Sequence, residues 1–227
     1  MTETRSEPRG KSETRNAIIR AAERLFSEQG IEAVAMRQIA VEAGQKNNYA
    51  TQYHFGSKAE LVTAIYELRI GPVELRRQQI LDDLNVEGRT DDLRAIVDAM
   101  LRPSAERLLT SRSESYYLRF LAAMSRTMPK EFFEAGRDLA PAYARGLERI
   151  DALLSDVPKQ IRHQRMDWCL SSGIMMLGKL ERDVARLTFP QRTRQVSIAI
   201  EALIDFCFGA LTAPVSPESA EMLGDKV

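Results

Sequence analysis

The 227-residue sequence predicts an all-α protein, with a small three-helix helix-turn-helix head at the N-terminus joined to a larger helical body. Three observations predict it. Apolar residues recur with the 3.6-residue period of amphipathic helices along most of the chain. No convincing alternation of apolar and polar residues marks a strand. Gly and Pro fall mainly between the periodic segments, where they end helices or turn the chain.

The first helix is predicted from about Ser12 to Glu28, with Ser12 as N-cap, Glu13 in the first turn, and Ala17, Ile18, Ala21, Ala22, Leu25 and Phe26 as one apolar stripe. Gly30 closes it. A short second helix carries Met36, Ile39, Ala40 and Ala43 and stops at Gly44; Ala35 before it offers no side-chain cap. The third starts after the Gln45-Lys46 turn, capped by Asn47 or Asn48, and ends near His54. Two short helices joined by a glycine-containing turn form a helix-turn-helix, whose later helix enters the major groove of DNA.

Ser57, with Glu60 three residues on, predicts a capping box that opens a long helix, which Gly71-Pro72 interrupts or kinks before it resumes to Leu84. Asn85 to Arg89 reads as a loop. Further helices are expected at roughly 90–110, 113–126, 130–154, 158–187 and 190–211, with breaks at Pro103, Pro129, Pro158 and Pro190 and a kink or extra break at Pro141. The resulting division is 1–59 for a helix-turn-helix DNA-binding domain, 60–212 for a helical effector-binding and dimerisation domain, and 213–227 for a flexible tail.

Composition fits a soluble, cytoplasmic globular protein: 44% hydrophobic and 28% charged residues, with no apolar run of about 18 and a polar N-terminus unlike a signal peptide. Cys169 and Cys207, far apart on apolar stretches, read as reduced and buried. Net charge is zero, yet residues 1–59 hold nine Lys/Arg against seven Glu, and the remainder holds 23 against 25. Arg5, Arg9, Lys11 and Arg15 cluster in the leader, and Arg37, Lys46 and Lys58 flank the third helix. Nucleic-acid binding depends on local positive charge, so a neutral total does not exclude it.

The stretch from Arg15 to Leu68 resembles the DNA-binding head of TetR-family transcriptional regulators. The matching residues are Ala17-Ile18-Ile19, Ala21-Ala22-Glu23-Arg24-Leu25-Phe26, Gly30-Ile31-Glu32-Ala33, Met36-Arg37-Gln38-Ile39-Ala40, Glu42-Ala43-Gly44 and Gln52-Tyr53-His54-Phe55-Gly56-Ser57-Lys58-Ala59-Glu60-Leu61. The resemblance implies a homodimeric repressor that binds a palindromic double-stranded DNA operator and releases it when a small-molecule effector enters the body. It also implies pairing through the helices near 158–187 and 190–211. Two departures stand out: Ala35 replaces the common Thr cap, and nine residues separate Gly44 from His54 where eight are expected.

Asn47, Asn48 and Gln52 carry the paired donors and acceptors that read adenine, and Tyr49 can meet a thymine methyl. Asn47 suits a plain cap equally well. The resemblance puts Arg37 at a base or phosphate and Tyr53, His54 and Lys58 near the DNA backbone. Lys46 adds salt-dependent affinity. In the body, Tyr117, Phe120, Met124, Phe133, Trp168 and Met176 are candidates for a pocket that takes a mainly apolar effector, against the plainer reading of ordinary core. Arg119 and His163 could lend that pocket polarity, and Gly173 and Gly178 could allow close helix approach at a dimer surface. No phosphate loop, zinc spacing or nucleophile–base pair is present, so neither an enzyme nor a cofactor or metal is expected. The rival reading is a helical ligand-binding or interaction protein without operator-specific DNA binding.

Overall fold

The computed structural model describes residues 9–47, 49–110, 115–128 and 136–223. Every regular element among them is helical. The head comprises α1 (Arg9–Gln29), α2 (Met36–Glu42) and α3 (Ala50–Phe55). The body comprises α4 (Lys58–Val86), α5 (Leu93–Thr110), α6 (Tyr117–Thr127), a 3₁₀ turn at Gly136–Leu139, α7 (Pro141–Leu153), α8 (Lys159–Val184), α9 (Phe189–Thr212) and α10 (Pro217–Met222).

Helix α1 begins before Ser12, which therefore lies inside it and caps nothing. Its predicted stripe is buried at Ile18, Ala21, Ala22, Leu25 and Phe26, with Ile19 buried beside it, and Gly30, at φ 86°, donates its N–H to the Phe26 carbonyl. Ala35 supplies no side-chain cap to α2, as its chemistry requires. Ser57 and Glu60 form the reciprocal capping box at the start of α4.

Helix α4 runs unbroken through Pro72, contrary to the interruption expected there. Pro72 and Leu68, whose carbonyl loses its helical partner, are both exposed, so water can satisfy that carbonyl. Pro103 likewise sits inside α5 and breaks nothing. Pro141 does mark a break, starting α7 after the 3₁₀ turn. The segment read as a flexible tail carries α10, capped by Ser216 and with Ala220 buried; residues 224–227 lie outside the described range.

One apolar core extends from Ile18 in the head to Leu211 in α9. Helix α5 lies against α9, α6 against α8, and α7 against α4 and α5. The head is seated on the body through α1, which packs on α6 with Phe26 stacked on Phe120 at 6.3 Å between ring centroids. By length and composition α9 could cross a membrane, although no such run was expected. In this fold it packs on α5 and α8 and buries Val196, Ile200, Leu203, Ile204, Cys207 and Leu211.

Two of the body helices that start without side-chain caps of their own are capped from elsewhere in the chain. Tyr116 before α6 and Ala140 before α7 offer no side-chain hydrogen bond. Buried carboxylates from other helices take that role. Glu181 of α8 accepts the N–H groups of Leu118 (3.2 Å) and Arg119 (2.9 Å), and Glu74 of α4 accepts those of Ala142 (2.9 Å) and Tyr143 (3.2 Å). A negative group at a helix N-terminus satisfies orphan donors and meets the favourable end of the helix dipole.

Candidate nucleic-acid interface

Helix α3 is fastened to the head by Ala50, Thr51 and Phe55, all buried, which leaves the opposite side of the helix outward. Tyr49 and Tyr53 are 73% and 76% exposed, and Gln52 is exposed between them. Spacing of three and four residues puts the three on one helical face. The chain turns into α3 through Gly44, at φ 68°, and an Asx turn in which Asn47 Oδ1 accepts the Tyr49 N–H at 2.9 Å. Asn47 therefore orders the turn rather than capping the helix as expected of it or Asn48; the cap position falls two residues later, at Tyr49, which makes no side-chain cap hydrogen bond. The Asn47 amide nitrogen makes no hydrogen bond within the described residues. Asn48 lies outside the described residues.

Arg37, on the first turn of α2, and Lys46, in the turn, are exposed cations bordering this face. His54 is half-buried, with its ring edge-on to Tyr53 at 5.3 Å and tilted to Phe55 at 6.4 Å. Lys58 has a structural attachment that the sequence does not disclose. Its ammonium donates to the carbonyls of Ile31 (2.9 Å) and Glu32 (3.0 Å), tying the start of α4 to the loop between α1 and α2. Arg15 lies over the Phe55 ring at 5.1 Å, a packing role within the head. A phenol, an amide and a second phenol over flanking cations can contact base edges and phosphates together.

Of the six residues expected to line an apolar pocket, the five described ones do not assemble into one. Tyr117, Phe120 and Met124 are buried core, and Phe133 lies outside the described residues. Trp168 and Met176 are 61% and 45% exposed, on the outer face of α8 away from the core. Their helix buries the other stripe, Cys169, Gly173, Leu177 and Leu180, against its neighbours. Arg119 is committed to Glu181, and His163 is an exposed partner of Asp151 at 3.1 Å. Gly173 and Gly178 serve packing within the chain: an added Cβ would meet Leu101 and Ala122, each at 3.1 Å. Cys169 and Cys207 prove to be neighbours, each thiol within reach of the other's carbonyl at 3.7 and 3.8 Å, and the contact with the Cys169 thiol, together with burial, pushes the Cys207 thiol up. Among the described residues no group of His, Cys, Asp or Glu could hold a metal ion.

The apolar cavity between α5, α7, α8 and α9 holds only about 20 Å³. A far larger cleft, about 670 Å³, lies where α1 and α2 of the head face Arg69 of α4, Arg107 of α5 and Tyr117 of α6. Arg69 binds Glu23 with two hydrogen bonds (2.8 and 2.5 Å), and Arg24 pairs with Glu42. Behind Tyr117 lies a buried polar group. Arg77 pairs with Glu74, donates to the Met100 carbonyl at 3.3 Å and lies over the Tyr143 ring at 5.1 Å. Burial lowers the Arg77 pKa and pushes Tyr143 up to about 12.

Residues 18–65 match the family described as “Bacterial regulatory proteins, tetR family”. The HTH-type transcriptional regulator AcrR of Shigella flexneri is 41% identical over 69 residues, which are 29% of this chain and 32% of that regulator. The match thus spans about a third of that curated relative's length. Two crystal structures of NalD, the secondary repressor of the MexAB-OprM multidrug efflux pump in Pseudomonas aeruginosa, share the fold. One aligns over 90% of this chain and 100% of NalD at 22% identity with a TM-score of 0.53. The other covers 91% and 100% at 23% identity with a TM-score of 0.50.

Proposed function

The N-terminal head of this chain belongs to the TetR family of bacterial regulators, and from that premise we propose that the protein is a DNA-binding transcriptional repressor. It works in the cytoplasm as a homodimer on a palindromic operator and releases the DNA when a small molecule binds the body. The observation that carries this reading is the outward face of α3, with Tyr49, Gln52 and Tyr53 presented over a buried Ala50, Thr51 and Phe55. Gln52 and the amide nitrogen of Asn47 read base edges, with Asn48 beside them. Tyr49 meets a thymine methyl. Tyr53, His54, Arg37 and Lys46 hold the sugar-phosphate backbone. Lys58 acts chiefly by bracing the head, with its remaining N–H available to a phosphate.

Dimerisation is assigned to α8 and α9. Trp168, Met175 and Met176 line one outward face of α8, and Phe189, Ile198 and Phe206 are exposed on α9. So many exposed large apolar side chains on two neighbouring helices support a protein partner, and a second copy supplies the matching surface. Two reading heads then face successive major grooves, about 34–36 Å apart, as a palindrome requires.

A mobility-shift assay with DNA flanking the chain's own gene tests the reading. The expected result is a salt-sensitive, sequence-selective complex, together with raised transcription of the adjoining genes when the gene is deleted. Absence of any sequence-selective complex would sink it. Within a positive result, Gln52→Ala should cost about 1–3 kcal/mol at particular base pairs and relax preference there, whereas Lys46→Ala should weaken all sites evenly and reduce the salt dependence.

A further inference from the structure

The cleft between head and body has the wrong lining for an apolar guest. Four arginines face it, Arg20, Arg24, Arg69 and Arg107, against two glutamates, Glu23 and Glu42. Both glutamates are already held, by Arg69 and Arg24 respectively. Among the described residues, the side chains of Arg20 and Arg107 make no ion pair or hydrogen bond, so two guanidiniums remain for a guest. At the inner end Tyr117 is almost wholly buried, and its hydroxyl, without a hydrogen-bond partner among the described residues, is sealed from the cleft. The charged groups left unpaired in this lining are therefore both cations. The cleft's volume of about 670 Å³ is also in the range that small-molecule sites occupy.

We propose that this cleft binds a small organic anion, a molecule bearing carboxylate or phosphate groups, with Arg107 and Arg20 pairing its charge and the buried Tyr117 ring closing its inner end. Planar guanidiniums suit both kinds of oxyanion. The position gives the guest leverage. One wall is α1 and α2 of the head, and the other is built by α4, α5 and the start of α6. The guest also sits beside the Glu23–Arg69 pair that fastens the two walls together. A ligand that favours one seating of the head on the body shifts the population of DNA-binding dimers. This second half rests on the regulator reading above; the anion site itself does not.

Calorimetric titration of the full chain at low salt tests the site, with citrate and benzene-1,3,5-tricarboxylate as carboxylates, inorganic phosphate and glucose 6-phosphate as phosphates, and benzamide and glucose as neutral controls. The expected result is saturable binding of at least one anion and of neither control, and the responding class identifies the acid group. Arg20→Gln and Arg107→Gln should each weaken it at least tenfold, Arg107→Lys should restore part of the loss, and Arg186→Gln should leave it unchanged. Because Arg20 is exposed, its variant reports even if Arg107→Gln fails to fold. Binding of none of the four anions, or binding undiminished in the Arg20→Gln and Arg107→Gln variants, would overturn the site. Mobility shifts with and without the bound anion separate the two claims. An anion that binds while no DNA complex ever forms defeats the regulator reading alone, and a DNA complex indifferent to a bound anion defeats the regulatory half alone.

Discussion

Glu74 holds three donors at once: the Arg77 guanidinium and the first two N–H groups of α7 that lack helical partners. Replacing it with Gln leaves Arg77 charged, buried and unmatched, so Glu74→Gln should cost about 3–5 kcal/mol in urea unfolding. A loss below about 1 kcal/mol would show that the pair is dispensable. Asp151 is a milder case on the surface. The two hydrogen bonds from Arg162 hold its carboxyl below the ordinary 3.8. A depressed carboxylate contributes fully above its unfolded pKa and loses that contribution as pH falls through the folded value. Thermal stability should therefore drop below about pH 4, and Asp151→Asn should flatten that acid limb; an unchanged limb would refute the link. Neither role was legible in the sequence. Glu74 and Glu181 meet the helix starts they cap across more than sixty residues of chain, and nothing local to a Glu distinguishes a tertiary helix cap from a solvated charge.

Helix starts written in neighbouring residues were legible, and those written elsewhere were not. Ser57 and Glu60 form a capping box because both partners lie within one turn. Helix α3 starts later than expected because Asn47 spends its side chain on an Asx turn, a choice among local hydrogen bonds that residue type leaves open. Gly56 between α3 and α4 has φ 67°, and an added Cβ would lie 2.5 Å from the Glu60 oxygen that completes the box. Gly56→Ala should destabilise the fold by about 1–2 kcal/mol and weaken DNA binding by misdirecting α3. Unchanged melting and unchanged affinity would contradict both. In α4 the exposed Pro72 leaves a carbonyl to solvent, so Pro72→Ala should raise the melting temperature, and a fall would mean the helix depends on the proline's geometry.

At the scale of the molecule, the apolar side chains counted toward a pocket divide between a sealed core and an outer face. Composition and period could not separate these, because a stripe meant for a second copy reads like one meant for the chain's own interior. Trp168→Glu with Phe206→Glu should turn a dimer into a folded monomer by sedimentation; a dimer that persists would place the interface elsewhere. The division between residues 1–59 and 60–212 is a matter of sequence more than of packing. Phe26 rests on Phe120, and Glu23 is clasped by Arg69 from α4. For anyone recombining regulators, the head is accordingly not a cassette. Exchanging it for another specificity would require transplanting the matching surface of α6, or the new reader would arrive on a seat cut for a different occupant.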